Sequence, residues 1–395
     1  MKKIIGILTI SLFVLSGCMK EPTTPELKKG TLTETVIHSA DPYIETQNYN
    51  GAYIYLPPDY DAANSYPVLY LLHGFGSDYR FWQSIEDIKD ILDYMITMGE
   101  IEPMIVVMPN GYNDFAGSFY TNSVDSLYPA FGQFENYIIN EVITFIDSAY
   151  STDTTKRAIA GISMGGYGAM KLGAKYPELF RAVAGFSGVY DFDLFLVEDS
   201  TTHMSMVDMV IAENGGYISP LNLNAEHPLT SMMFAMAAAF SPRVRDSSFF
   251  NPLENKFGLS PYYGNPSLLM GVQLPFVIDS LDTINGIVKG YWHLDSLTWS
   301  QWEAQNVKNI FINNYQNILS AGTKYYMDCG AQDELKLNYH LMVLDGTLKQ
   351  LGIPHKAEIF SDYPGYPADE FNAMHTSHLY LRVREGLKYI SDNLE

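Results

Sequence analysis

Apolar residues along this chain cluster in short segments that alternate with longer stretches at helical spacing. The segments at residues 33–38, 52–56, 68–72, 104–108, 157–162, 182–186, 324–329 and 356–360 read as strands. The central ones are apolar throughout, as strands of a parallel sheet covered on both faces must be. Residues 81–98, 131–150, 164–176, 337–351 and 378–393 read as helices, the last with Leu379, Val383, Leu387 and Ile390 on one stripe. This alternation predicts an α/β fold with a mostly parallel eight-stranded sheet and helices on both faces. The rhythm breaks once, at residues 190–322, a span far longer than an ordinary crossover. That insertion is rich in Met and aromatic residues, among them Met232, Met233, Phe234, Met236, Phe240, Trp292, Trp299 and Trp302. Most are expected to form the insertion's own core, and some to line a pocket beneath it as a cap.

The N-terminus follows a different pattern. Lys2 and Lys3 precede an apolar run over residues 4–15 that is too short to span a bilayer, so residues 1–17 read as a signal peptide. The run ends Leu15-Ser16-Gly17-Cys18, which resembles a bacterial lipobox and makes Cys18 the expected site of lipidation. Residues 18–30 are Pro-rich and charged without apolar pattern, and read as a flexible tether. Residues 31–395 then form the folded domain, placed outside the cytoplasm in a bacterial cell envelope and held to the membrane by acyl chains only.

Composition narrows the options further. Cys329 is the other of only two cysteines, so no internal disulfide is expected and stability must come from the apolar core. The formal charge is −21, and signal cleavage removes two more lysines. That balance argues against nucleic acid as a partner. No metal-type Cys/His cluster and no repeat is present.

The chemistry is concentrated in Arg157 to Ala169, which reads RAIAGISMGGYGA. Gly161-Ile162-Ser163-Met164-Gly165 fits a nucleophile elbow, where a strand turns sharply into a helix and presents a serine hydroxyl. Bulky side chains two residues before and after the serine would clash, and glycines stand at both places. A serine hydroxyl needs a base to take its proton and a carboxylate to orient that base. For the acid, residues 324–329 run into Gly330-Ala331-Gln332-Asp333-Glu334, which puts Asp333 just past a strand's carboxyl end. For the base, a loop over residues 361–374 leads to His375-Thr376-Ser377-His378. Position leaves both histidines open, and His378, at the start of a helix, is the expected one. Two amide donors are needed for the oxyanion: Met164 N–H at the helix start, and Phe75 N–H in the loop His73-Gly74-Phe75-Gly76, with Gly76 second. His73 is expected to brace that loop. No cofactor is required.

Together these segments, with Tyr70-Leu71-Leu72-His73-Gly74, Trp82 and Asp328-Cys329-Gly330-Ala331-Gln332-Asp333-Glu334-Leu335, resemble the putative esterase family of α/β-hydrolases. That group includes esterase D-like S-formylglutathione hydrolases, feruloyl and acetylxylan esterases, enterochelin esterases and mycolyltransferases. The resemblance covers nearly all of residues 50–393. The family usually has Gly-Gly-His before its last helix; Ser377-His378 replaces Gly-His here, and the spacing of Arg384 and Leu387 from it favours His378. The resemblance implies a serine carboxylester hydrolase acting through an acyl-enzyme on acyl esters of carbohydrates, feruloyl or acetyl. Acyl transfer to a sugar or lipid hydroxyl is the alternative expectation, and a non-catalytic surface binding lipoprotein a third.

Overall fold

Each of the eight segments read as strands contributes a strand to one sheet. In chain order the strands are β1 (Thr31–Val36), β2 (Gly51–Leu56), β3 (Tyr66–Leu72), β4 (Ile105–Pro109), β5 (Asn122–Asp125), β6 (Tyr128–Gln133), β7 (Thr152–Ile162), β8 (Ala182–Phe186), β9 (Phe276–Ile284), β10 (Ile287–Leu294), β11 (Lys324–Gly330) and β12 (His355–Phe360). The sheet order is β1-β2-β4-β3-β7-β8-β11-β12. β2 is antiparallel to both β1 and β4, and every other pairing is parallel. This computed structural model describes residues 26–394 except 85, 126–127, 199–203, 216–225, 244–271, 285–286 and 363–371. The signal segment and Cys18 therefore lie outside the described residues. Lys28 and Gly30 are docked on the domain, with Gly30 N–H donating to the buried Asp93 at 2.8 Å.

Strand side chains alternate between two apolar layers. Val68, Tyr70, Leu72 and Ile159 enter one, shared with the helices Met164–Lys175, Val307–Ala321 and Leu337–Leu351. Leu69, Leu71, Ala158, Ala160 and Ile162 enter the other, against Ile88–Thr97 and Leu379–Asp392. The strands β3, β4 and β8 are buried along their full length, which is why they read as continuous apolar runs. Among the described residues no helix is long and apolar enough to cross a membrane.

Two expected helices differ in form. The stretch 81–98 is broken into Phe81–Ser84 and Ile88–Thr97, because Asp87 adopts a left-handed conformation (φ 46°) at the second helix's start. The stretch 131–150 begins helical only at Phe134, since residues 128–133 pair with β5 as a hairpin, and passes through a π-helical turn at Tyr137–Val142.

The segment 190–322 holds a 3₁₀ turn (Phe192–Leu196), helices Met206–Glu213, Pro228–Phe240 and Ser296–Glu303, and the β9–β10 hairpin. Its last helix, Val307–Ala321, packs on Met164–Lys175 and Leu337–Leu351 and serves as the crossover into β11. Among the described residues, its buried apolar side chains join the core layer of the sheet domain. Phe192 stacks on Tyr167 of the Met164–Lys175 helix (5.9 Å, 19°), and Phe240 meets Phe119, Tyr167 and Trp302. Met233, Phe234, Met236, Phe240 and Trp302 are buried in the layer that also contains that helix.

Candidate active site

Ser163 directly follows β7 with φ 57° and ψ −117°, a conformation that non-glycine residues rarely adopt and that costs on the order of 1–3 kcal/mol. Its N–H donates to Phe186 O (2.8 Å) and its carbonyl accepts from Tyr167 N–H (2.9 Å), so the turn is tied to both β8 and the helix it opens. A Cβ on Gly161 would lie 2.4 Å from the Gly165 backbone, and one on Gly165 would lie 2.4 Å from Leu72 O. Only glycine fits either position. Met164, the first helical residue, has an amide with no intrahelical acceptor.

The loop after β3 is held by a buried histidine. His73 Nε2 accepts Gly111 N–H (2.8 Å), which leaves the proton on Nδ1 for donation to Gly74 O (2.9 Å). Burial lowers the His73 pKa to about 4, keeping it a neutral brace, as the sequence suggested. Tyr120 OH donates to His73 O (3.0 Å). Gly76 N–H is committed to Ala116 O (2.9 Å), which argues against Gly76, the second of the two expected oxyanion donors in this loop.

Asp333 lies just beyond β11 and is buried. Oδ1 accepts from Leu335 N–H (2.9 Å) and Leu337 N–H (3.4 Å). Oδ2 takes His375 Nδ1 at 2.8 Å and the Cys329 thiol at 3.3 Å. Burial alone would raise the Asp333 pKa, but the hydrogen bond and charge of His375, with the Cys329 and Leu337 donors, hold it below the usual carboxylate value.

The histidine paired with Asp333 is His375, which corrects the expectation that His378 would fill this place. His378 caps the helix Leu379–Asp392 in a left-handed conformation (φ 51°), and its Nε2 accepts Asn372 N–H at 3.4 Å. His375 is clamped to the Asp333 loop instead. Its N–H donates to Glu334 Oε2 (2.9 Å), and Gln332 N–H donates to the nearby Ala373 O (2.9 Å). Gly330 makes this approach possible, since a Cβ there would lie 2.1 Å from Ala373 O. The His375 carbonyl accepts from Ser187 Oγ (3.2 Å), and Ser187 follows Phe186, the acceptor of Ser163 N–H. Ser163 and His375 thus hang on adjacent residues at the end of β8.

Ser163 and Met164 line a small recess whose apolar walls include Phe75, Phe119, Phe195, Met206, Met232 and Leu335. Phe195, Met206 and Met232 come from the long insertion, so part of it lines the same recess as Ser163, while Met233, Phe234, Met236 and Trp302 serve packing. Phe119 belongs to the loop after β4, which the sequence reading passed over. Its signal was the turn-rich run Asn110-Gly111-Tyr112-Asn113-Asp114, held in the structure by Asn113 Oδ1 accepting Phe115 and Gly117 N–H groups.

A family model described as putative esterase matches residues 45–308. An esterase of Mycobacterium tuberculosis (strain H37Rv) is 33% identical over 193 residues, covering 45% of this chain and 39% of that protein. An endo-1,4-β-xylanase/feruloyl esterase of Xylanibacter ruminicola is 34% identical over 163 residues, covering 39% of this chain and 21% of its own length. The matches thus span well under half the length of these relatives. Among solved structures, a ferulic acid esterase superposes with a TM-score of 0.54 at 16% identity, covering 93% of this chain and 100% of its own. An S-formylglutathione hydrolase from Agrobacterium tumefaciens gives a TM-score of 0.52 at 13% identity, covering 94% and 98%. Both likenesses are of fold, and the fold is that of α/β-hydrolase esterases.

Proposed function

This chain belongs to the putative esterase family, and from that premise we propose that it is a serine carboxylester hydrolase in which Ser163, His375 and Asp333 act together. The observation that carries this reading is the 2.8 Å contact between Asp333 Oδ2 and His375 Nδ1, on a loop anchored beside the strained Ser163 turn. Asp333 and His375 lie beyond the matched span 45–308, so their roles rest on geometry. With Nδ1 held by Asp333, His375 presents Nε2 as the base. Ser163 Oγ adds to the ester carbonyl as its proton passes to Nε2, and the negative oxygen is met by the amides of Met164 and Phe75. The C–O bond then breaks, and the alcohol leaves with the proton from Nε2. Water, deprotonated by the same nitrogen, attacks the acyl-enzyme and releases the acid, restoring Ser163.

The substrate in this reading is an acyl ester of a carbohydrate, with feruloyl or acetyl as the acyl group. Support comes from the relative named a feruloyl esterase and from the apolar recess beside Ser163, which suits an acyl chain or ring better than a sugar. The lipobox-like segment ending at Cys18 supports a lipid-anchored enzyme on the outer side of a bacterial membrane.

Labelling with a fluorophosphonate probe, followed by peptide mapping, tests the chemistry. Modification at Ser163, lost in Ser163→Ala together with turnover of nitrophenyl acetate, is the expected result. An active Ser163→Ala variant refutes it. Methyl ferulate and acetylated xylan, assayed side by side, decide the acyl group.

A further inference from the structure

Arg382 is a charged residue that the chemistry above does not use, and it is buried, 1% exposed, on the first turn of the helix Leu379–Asp392. Its guanidinium points in three directions at once. Nε and Nη2 donate to Asp328 Oδ1 at 3.1 and 2.5 Å, Nη2 donates to Ser187 Oγ at 2.7 Å, and Nη1 donates to the His375 carbonyl at 2.9 Å. Ser187 adds a second donor to that carbonyl at 3.2 Å. Its own N–H is fixed on Asp328 O (2.8 Å), and its φ of 45° is a left-handed conformation that a non-glycine residue adopts only under constraint. The end of β8, the strand β11 and the last helix therefore converge on one backbone oxygen, that of His375.

A buried ion pair is a poor device for stability alone, because apolar residues of similar volume commonly do as well. What the pair supplies here is direction. A planar guanidinium fixed by a carboxylate keeps its remaining N–H groups aimed, which the single ammonium of lysine does not. His375 is then held at two points: Asp333 takes ring Nδ1, while Arg382 and Ser187 hold the backbone carbonyl. We propose that Arg382, oriented by Asp328 and seconded by Ser187, is a positioning residue that sets the His375 imidazole for proton transfer with Ser163. The proposal rests on the reading of His375 as the base.

The test uses the double variant Asp328→Leu/Arg382→Leu, which leaves no buried charge unpaired, with Arg382→Lys and Ser187→Ala beside it. Circular dichroism and thermal unfolding establish that each is folded. With nitrophenyl acetate, the double variant is expected to lose about 10–100-fold in kcat with little change in KM, the signature of a displaced base. Arg382→Lys should recover part of that loss, and Ser187→Ala should lose roughly threefold to tenfold, since one of two donors remains. A purely structural pair would lower the unfolding temperature and leave kcat of the folded protein intact. A folded double variant with wild-type kcat overturns the proposal; if the double variant does not fold, wild-type kcat in Ser187→Ala overturns it. His375→Ala separates this from the parent reading. An inactive His375→Ala beside fully active network variants sinks only the positioning role, whereas an active His375→Ala sinks the base assignment itself.

Discussion

Oδ2 of Asp333 lies 2.8 Å from Nδ1 of His375, and the two are 42 residues apart in sequence. The other oxygen, Oδ1, is fixed by two backbone amides, so the carboxylate cannot turn away from the ring. Asp333→Asn keeps the shape but replaces an acceptor with a donor group, favouring the wrong imidazole tautomer. The expected outcome is a loss of about 10³–10⁴-fold in kcat with the fold retained, measured by steady-state kinetics on nitrophenyl acetate. A loss of less than tenfold would remove Asp333 from the mechanism.

The elbow glycines should be intolerant while a distant one is not. Gly165→Ala drives a methyl group to 2.4 Å from Leu72 O, so backbone must shift. We expect a loss of about 1–3 kcal/mol in unfolding free energy and a fall in kcat. Gly346 sits inside the helix Leu337–Leu351 with open space where a Cβ would stand. Gly346→Ala should gain about 0.5–1 kcal/mol through helix propensity, with activity unchanged. Urea unfolding of both variants checks the contrast.

Acid should weaken the fold through its buried neutral histidines. His73 and His340 both have pKa values lowered by burial from 6.5 to about 4. His340 Nδ1 accepts the N–H groups of Tyr190 (3.3 Å) and Asp191 (3.1 Å), a role open only to the uncharged ring. The sign follows from proton counting. Between pH 6.5 and 4 the unfolded chain takes up protons that the folded chain refuses, so stability present above pH 6.5 is lost progressively towards pH 4. Each ring accounts for about 3 kcal/mol over that window. Carboxylates titrate there as well, so the quantity to measure is the pH slope of the wild type minus that of His340→Gln. A difference of zero contradicts the assignment.

The insertion's part of the recess should set acyl preference. Phe195→Ala and Met232→Ala each remove one apolar wall contributed by the insertion. Both should lower kcat/KM for nitrophenyl octanoate and methyl ferulate by about 10–100-fold while leaving nitrophenyl acetate nearly untouched. Equal losses on all three esters would return these residues to packing.

The central strands of the sheet were legible because burial on both faces forces unbroken apolar runs, as in Val68 to Leu72. The serine turn was legible because steric demand at Gly161 and Gly165 is local. The helix break at Asp87 was not, because the amphipathic pattern continues across it while one backbone angle changes sign. The β9–β10 hairpin and the split of the insertion's aromatics between core and recess depend on tertiary neighbours. The same holds for the histidine. His375 and His378 are equivalent by position, and a helix start favoured the second. The decision came from Gly330, whose missing side chain lets Ala373 and then His375 close on Asp333.

The account depends most on which histidine takes the proton from Ser163. Steady-state kcat/KM for nitrophenyl acetate should be measured on His375→Gln and His378→Gln under identical conditions, with circular dichroism confirming both folds. The arrangement predicts that His375→Gln loses at least about 10³-fold and that His378→Gln stays within severalfold of wild type. A collapse in His378→Gln with His375→Gln near wild type would contradict it outright.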